Sequence, residues 1–332
     1  KLKPESWAWH LLGLTNPILV ILCNLNGDWW VFGGLVFVLV AGPFLDLALG
    51  KAKTPKPPPA SGLPFEILLY VHAVLQFIAL ATLFHRAGID GNTWTSWIAA
   101  LSTGLTSGVS GIIVAHELGH KKPGSSGWWI GRLNLLSVLY LHFTTEHNYT
   151  HHRLVATAED PATALFGESL WAFILRTVPG QYLDAIRIHE RKGKKALKNP
   201  VIQGSIIQVI LLIMIYVFFE GIVLGVFVLQ AGFAVFLLEY INYLRHYGLA
   251  RRSGERQTES HSWEAEERWS RWTLLELTRH PAHHLTASKP FWKLQPFENA
   301  PQLPTGYYGC FWLATIPPLW KKIMHPKIQN TS

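Results

Sequence analysis

Nine of the 16 histidines in this chain fall into four short clusters whose spacing suits transition-metal ligation. HELGHK (116–121) carries His116 and His120, and EHNYTHH (146–152) carries His147, His151 and His152. NYLRHYGL (242–249) carries His246, and RHPAHH (279–284) carries His280, His283 and His284. Helical side chains four apart share a face, so His116 with His120, and His147 with His151, are each expected to grip one ion. Adjacent helical residues diverge by about 100°. The doublets His151–His152 and His283–His284 therefore point two ways, which suits two ions side by side. A first-row metal takes at most about six ligands, so nine imidazoles are too many for one ion. Two ions with four or five imidazoles each, and an open position, would use them all. Pro281 cannot lie inside a helix running through His280, but a helix that restarts with Pro281 in its first turn keeps the spacing.

HELGH also has the spacing of a zinc protease, with Glu117 as base and Asp160 or Glu239 as a third ligand. That reading leaves most of the clustered histidines without work. A two-metal hydrolase would bring more Asp and Glu, and soluble di-iron bundles use Glu and Glu-x-x-His. Imidazole suits zinc, copper, iron and nickel, so spacing does not name the metal. His10, His72, His85, His142, His189, His261 and His325 are given ordinary structural roles, His142 being nearest to a cluster.

The elements that position these clusters follow from composition. Of 332 residues, 49% are hydrophobic and only 15% charged, and 15 are tryptophan. A soluble protein averages roughly 25% charged residues. Six apolar stretches reach the length of about 20 residues that spans a bilayer. They lie near 7–26, 29–50, 64–85, 93–115, 200–219 and 221–245. KAKTPKPPP (51–59) is basic, whereas NLNGD (24–28) and FEG (219–221) hold no Lys or Arg. With the N-terminus inside, every Lys and Arg but Arg86 falls on or near the cytoplasmic side. A seventh apolar segment, 128–143, is interrupted by Arg132 and Asn134 and reads as an in-membrane or re-entrant helix. The expected architecture is all-α and integral to the membrane: one domain, 1–332, with six transmembrane helices and a cytoplasmic histidine-rich cap (116–199 and 246–332). WEAEERWSRWTLLELTRH (263–280) reads as a cap helix whose Trp269 and Trp272 face the membrane or the spans. Gly104 and Gly108 read as a close helix contact. Cys23 and Cys310 are too few for a four-cysteine iron site, so any such electron carrier must be another chain or a missing segment.

HELGHK, EHNYTHH, NYLRHYGL and LTRHPAHH, in this order behind six spans, resemble the membrane-bound alkane 1-monooxygenases. The pattern H-x3-H, H-x3-HH, H-x2-HH is shared by the wider histidine-box class of xylene monooxygenases and fatty-acyl desaturases and hydroxylases. The HYG element with its preceding Asn-Tyr, and ATAEDPA (156–162), are closer to the alkane hydroxylases. Pro281 is a local departure. The resemblance implies a non-haem di-iron centre on His116, His120, His147, His151, His152, His246, His280, His283 and His284. It implies O2-dependent conversion of a terminal methyl group of an n-alkane to a primary alcohol. It also implies electrons from rubredoxin and an NAD(P)H-dependent reductase, and a bacterial inner membrane.

Ligating histidines usually donate their second N–H to a carboxylate. Glu117, Glu146, Asp160 and Glu239 are candidates, with Asn242 one turn before His246. Val109, Ile112 and Ile113 before His116, and Leu136, Leu139 and Phe143 before His147, are candidates to line a path for a substrate dissolved in the bilayer. The net charge of +8 is densest in RIHERKGKKALK (187–198), which keeps that loop inside and suits an acidic carrier. Nucleic acid is a poor partner for a basic surface pressed on a membrane. The rival readings are another histidine-box enzyme acting on acyl or aromatic substrates, a zinc intramembrane protease, and a non-catalytic metal-binding protein.

Overall fold

Hydropathy sets the frame of the fold. The computed structural model describes residues 3–329; residues 1–2 and 330–332 of the expected domain lie outside the described residues. Six helices are long and apolar enough to cross a membrane: Trp7–Asn26, Asp28–Leu49, Leu63–Asp90, Trp94–Gly119, Pro200–Phe218 and Gly221–His246. The protein is an integral membrane protein. Among the described residues there is no strand ladder, only isolated bridges from Lys51 to Glu267 and from Glu264 to Gln302.

The third span runs to Asp90 rather than 85, and Arg86 supplies the reason. Its Nε and Nη2 donate to the carbonyls of Asn24 and Leu25 at 2.7 Å each, and its Nη1 pairs with Asp90 at 2.9 Å. Arg86 thus satisfies carbonyls that the end of the first span leaves without helical partners. Gly27 turns there at φ +76°, and a Cβ on it would meet the Arg86 guanidinium at 2.5 Å.

The fourth span is the hub. Within its apolar window 83% of residues are buried in the protein, against 17% for the fifth span, which faces lipid. Its glycines permit this. A Cβ on Gly104 would meet the Gln230 carbonyl and Phe233 at 3.0 Å, and one on Gly108 would meet Leu237 at 3.1 Å. The sixth span therefore packs nearly backbone to backbone against the fourth.

Three segments depart from α-helical winding toward i→i+5 hydrogen bonding: Phe37–Ala41, Ser107–Ile113 and His147–His151. Such π turns are uncommon and concentrate at functional sites. The second and third lie immediately before and within histidine clusters. Segment 128–143 is a helix only from Ser126 to Leu136, and then turns through Leu139 at φ +55°. Its Asn134 has a defined task. The amide donates to the carbonyls of Ser110 and Gly111, at 3.1 and 3.3 Å, inside the π segment of the fourth span.

The cap departs from expectation at 263–280. Only Arg268–Thr273 is helical; residues before it are extended, and Leu275 and Glu276 take left-handed backbone at φ +53° and +54°. A one-faced amphipathic helix cannot form, because acids and bases on every side of this segment turn inward. Arg271 binds Glu5 at 2.6 Å and Glu276 at 2.8 Å, while Arg279 grips Glu266 with two bonds of 2.9 and 3.0 Å. Burial opposes ionisation of Glu276, yet Arg271 and Arg279 overcome it and hold the carboxyl well below the usual range. Trp269 and Trp272 nevertheless face the spans, as expected: Trp269 meets Phe37 of the second span with ring centres 5.9 Å apart, and Trp272 stacks on Trp9 of the first at 4.7 Å.

Replacing Asn134 with Leu removes the donor to two buried carbonyls. Each unsatisfied buried carbonyl costs about 1–3 kcal/mol. Asn134→Leu is expected to lower the thermal unfolding midpoint clearly and to loosen metal binding at His116. An unchanged midpoint would mean that the π segment holds itself.

Candidate metal centre

Four chain segments carry the nine clustered histidines to one place. His116 and His120 end the fourth span, and His147, His151 and His152 occupy a short helix at 143–154. His246 ends the sixth span, and His280, His283 and His284 lie on His280–Leu285, with Pro281 in its first turn. Arg279, fixed by Glu266 and by the Leu294 carbonyl at 2.9 Å, anchors the start of this last helix.

The nine form two groups. His116, His120, His147, His152 and His283 present ligand nitrogens all within 4.8 Å of one another, and so do His151, His246, His280 and His284. In the first group the Nε2 atoms of His116 and His283 lie 3.0 Å apart, those of His147 and His152 3.0 Å, and those of His152 and His283 3.1 Å. In the second, His246 and His280 lie 3.2 Å apart and His280 and His284 2.8 Å. Two nitrogens bound about 2.1 Å from one ion at right angles sit about 3.0 Å apart. The spacing therefore fits one transition-metal ion per group. The buried Nε2 atoms of His120 and His151 have no hydrogen-bond partner, which a metal would supply. Burial first, and neighbouring imidazoles after it, hold His147 and His284 well below the ordinary imidazole range; at His152, His280 and His283 the Arg245 guanidinium adds to burial and the imidazoles in the same direction. They are neutral, as ligands must be.

Both doublets divide between the groups, as diverging neighbours should. One pairing differs from the sequence expectation: His147 and His151 fall in different groups. The cause is the π turn over His147–His151, in which the His152 amide bonds back to the His147 carbonyl. With i→i+5 closure, residues five apart share a face. His147 is thus matched with His152, and His151 is released to the second group. The seven other histidines join neither group. His10 binds Glu276 at 3.0 Å, His72 meets Ser110 at 2.8 Å, and His142 packs against Tyr140 and Tyr182.

The candidate supporting polar residues separate clearly. Asp160 Oδ2 accepts from His151 Nδ1 at 2.9 Å, and is itself held by Thr163 Oγ1 at 2.7 Å. This keeps the proton on Nδ1 and leaves Nε2 as the donor lone pair. Glu239 accepts from Gln181 at 2.8 Å, Tyr140 at 3.1 Å and Asn242 at 3.2 Å, without touching a clustered histidine. Glu117 faces away and accepts from the Phe291 backbone N–H at 3.0 Å. Glu146 is buried with Oε1 unpartnered; burial, then Asp160 and Glu239, push its carboxyl well above the usual range. His246 Nδ1 donates to the backbone carbonyl of His261 at 3.3 Å. That contact has no sequence signal, because any residue carries the acceptor.

An apolar cavity opens beside the first group, with His116 in its wall. Val109, Ile112, Ile113 and Phe143 line it, joined by residues of the second and sixth spans such as Val38 and Ile241. Leu136 and Leu139 lie elsewhere: Leu136 borders a cleft against the third and fifth spans, and Leu139 one beside Val178 and Gln208. The positive φ of Leu139 swings this stretch out of the helical register that would have aimed both residues at the histidines.

Comparison with known proteins agrees with this geometry. The family described as fatty acid desaturase matches residues 92–314, which include all four histidine clusters. That match places the chain among the histidine-box membrane enzymes. Alkane 1-monooxygenase 1 of Pseudomonas aeruginosa is 33% identical over 98% of this chain and 91% of its own length. Alkane 1-monooxygenase of Ectopseudomonas oleovorans is 34% identical over 98% and 86%. The xylene/toluene monooxygenase hydroxylase component of Pseudomonas putida is 31% identical over 69% and 64%. The chain belongs to the alkane 1-monooxygenase family, and it is an oxidoreductase of the monooxygenase type.

Outer partners of metal-bound histidines are typically worth 10–100-fold in affinity. Asp160→Asn is therefore expected to weaken metal binding by about 10–100-fold, in the four-histidine group first. Metal content by mass spectrometry during chelator competition reads this directly; equal retention by wild type and variant would remove Asp160 from the site.

Proposed function

We propose that this protein hydroxylates the terminal carbon of n-alkanes at a centre of two non-haem irons held by the nine clustered histidines. The balance is RH + O2 + 2e− + 2H+ → ROH + H2O. The observation that carries this reading is the apolar cavity whose wall includes His116, a member of the five-histidine group. The relatives named for alkane oxidation supply the substrate class.

When bound, the irons supply the reduction of O2, which no side chain can perform. The chain's own residues do the rest. The nine imidazoles would hold the ions without adding negative charge. Asp160 keeps His151 in the tautomer that ligates. Val109, Ile112, Ile113 and Phe143 exclude water from the wall beside His116, where a methyl group would approach. The cavity is lined from the second, fourth and sixth spans, which suits entry of an alkane from the bilayer, where it is soluble.

The electrons are proposed to come from rubredoxin, reduced by an NAD(P)H-dependent reductase. The segment 191–198 is exposed and basic, and Lys192 sits 4.2 Å over the ring of Tyr149, between His147 and His151. A cationic surface thus reaches the arm that carries three of the clustered histidines, which favours an acidic carrier. Charge asymmetry across the loops supports a cytoplasmic position for both termini and for the metal site, in a bacterial inner membrane. The zinc protease reading is disfavoured: neither histidine group includes a carboxylate.

Iron-loaded protein with rubredoxin, its reductase and NADH is expected to turn n-alkanes into 1-alkanols, read by mass spectrometry, with two irons per chain. His246→Ala is expected to lose iron and most hydroxylation. One metal per active chain, or full activity in His246→Ala, would overturn the reading.

A further inference from the structure

Arg245 is the one charged residue in the wall of the apolar cavity. It is 2% exposed. Its side chain makes one hydrogen bond among the described residues, from Nε to the Tyr307 hydroxyl at 3.3 Å, and its guanidinium lies 5.9 Å from the centre of that ring. No carboxylate of the described residues stands within ion-pair reach of it. The other deeply buried arginines are treated differently. Arg271 has Glu5, Glu266 and Glu276, Arg279 has Glu266 and Glu276, and Arg86 has Asp90. A guanidinium stays charged at any ordinary pH. Burying one without a counter-ion is among the most unfavourable arrangements a fold can adopt. The surroundings make it worse, since nine imidazoles offer no negative charge and cations bound by them would add positive charge.

The missing counter-ion must therefore be a ligand, and the cavity describes it. Around Arg245 the wall is aliphatic and aromatic, with Leu237, Leu238, Ile241, Leu274 and Phe311 among its members. A small inorganic anion would leave those surfaces unfilled. A chain molecule with an anionic head would satisfy both parts. The planar fork of a guanidinium matches a carboxylate with two parallel hydrogen bonds, and the Tyr307 hydroxyl stands beside it. We propose that Arg245, with Tyr307, anchors the carboxylate of a fatty-acid-class ligand whose acyl chain fills the apolar cavity. The inference rests on the reading of this cavity as the substrate site. With its carboxylate toward His116 and its methyl end away from it, such a ligand would take the hydrocarbon's place in the cavity as a competitor, without being hydroxylated at its own methyl end.

Equilibrium binding to the metal-loaded, full-length protein in nanodiscs, against empty nanodiscs, tests this. The probes are dodecanoate, methyl dodecanoate and acetate. Wild-type protein should bind dodecanoate at least about tenfold more tightly than its methyl ester, as expected for loss of one charge-assisted pair. Arg245→Met should weaken dodecanoate by about tenfold or more and the ester by less than about threefold, with Arg245→Lys in between. Equal binding of acid and ester by wild type would overturn the proposal. So would acetate binding as well as dodecanoate, which would mark a site for small anions. Equal weakening of acid and ester in Arg245→Met would make the residue structural and overturn it too. Metal content and melting temperature verify that the variants fold; if Arg245→Met does not, the wild-type comparison of acid, ester and acetate decides. Alkane turnover by the same wild-type sample separates the two readings. Acid preference without alkane turnover removes terminal alkane hydroxylation and keeps the anchor; alkane turnover without acid preference does the reverse.

Discussion

The register of two π turns decides whether nine imidazoles can face two points. An α-helix offers at most an i, i+3, i+4 set on one side, and that suffices for His116 and His120. It does not suffice at 147–152, where three histidines must serve two groups from a single turn. Winding that turn as π moves His152 under His147 and turns His151 toward His246 and the 280s helix. The π segment before HELGH exacts a matching cost, carbonyls freed from the ladder, and Asn134 meets it from a neighbouring helix. A polar residue that interrupts an apolar run thereby becomes part of the positioning of His116.

Charge is the second constraint. Imidazole ligands bring no negative charge, so a pair of bound dications would leave positive charge at the edge of a low-dielectric layer. The nearby carboxylates answer this without joining either group. Asp160 contacts His151 directly, and Glu146 and Glu239 lie in the same buried region. The more distant Arg271, Arg279, Glu266 and Glu276 serve a different end. Their paired charges fix the backbone on either side of the left-handed turn at Leu275 and Glu276, and hence the approach of the helix that begins at His280. Buried ion pairs of this kind add little net stability against apolar packing. What they give is a single allowed geometry.

This division explains how much could be seen in the sequence. Hydropathy is a local property, and the six spans are found to within a few residues at most ends. The histidine doublets also carry their message locally, since neighbours on any helix diverge. The partition of His147 and His151 was hidden, because spacing assumes α winding and nothing in EHNYTHH announces a π turn. At 263–280 the spacing of Trp269 and Trp272 suggested an amphipathic face, but the partners that bury this segment, Glu5, His10 and Trp9, lie some 260 residues away. Leu136 and Leu139 were aimed by helical register at a place the chain leaves by turning at Leu139. His246 draws on a main-chain carbonyl, which no side-chain pattern can reveal.

The cavity and the glycines of the fourth span are one arrangement seen from two sides. Gly104 and Gly108 bring the sixth span so close that Gln230, Phe233 and Leu237 touch the fourth span's backbone. Close contact at that level fixes the separation of the two helices further along, where Val109, Ile112 and Ile113 face Leu238, Ile241 and Arg245 across the cavity. Larger side chains at the glycines would wedge the helices apart and carry His246 away from His116. Tight packing between the spans at the glycines therefore accompanies an open space further along, with an apolar wall and the His116 imidazole beside it. Arg245 lines that space from the last turn of the sixth span, one residue before a clustered histidine.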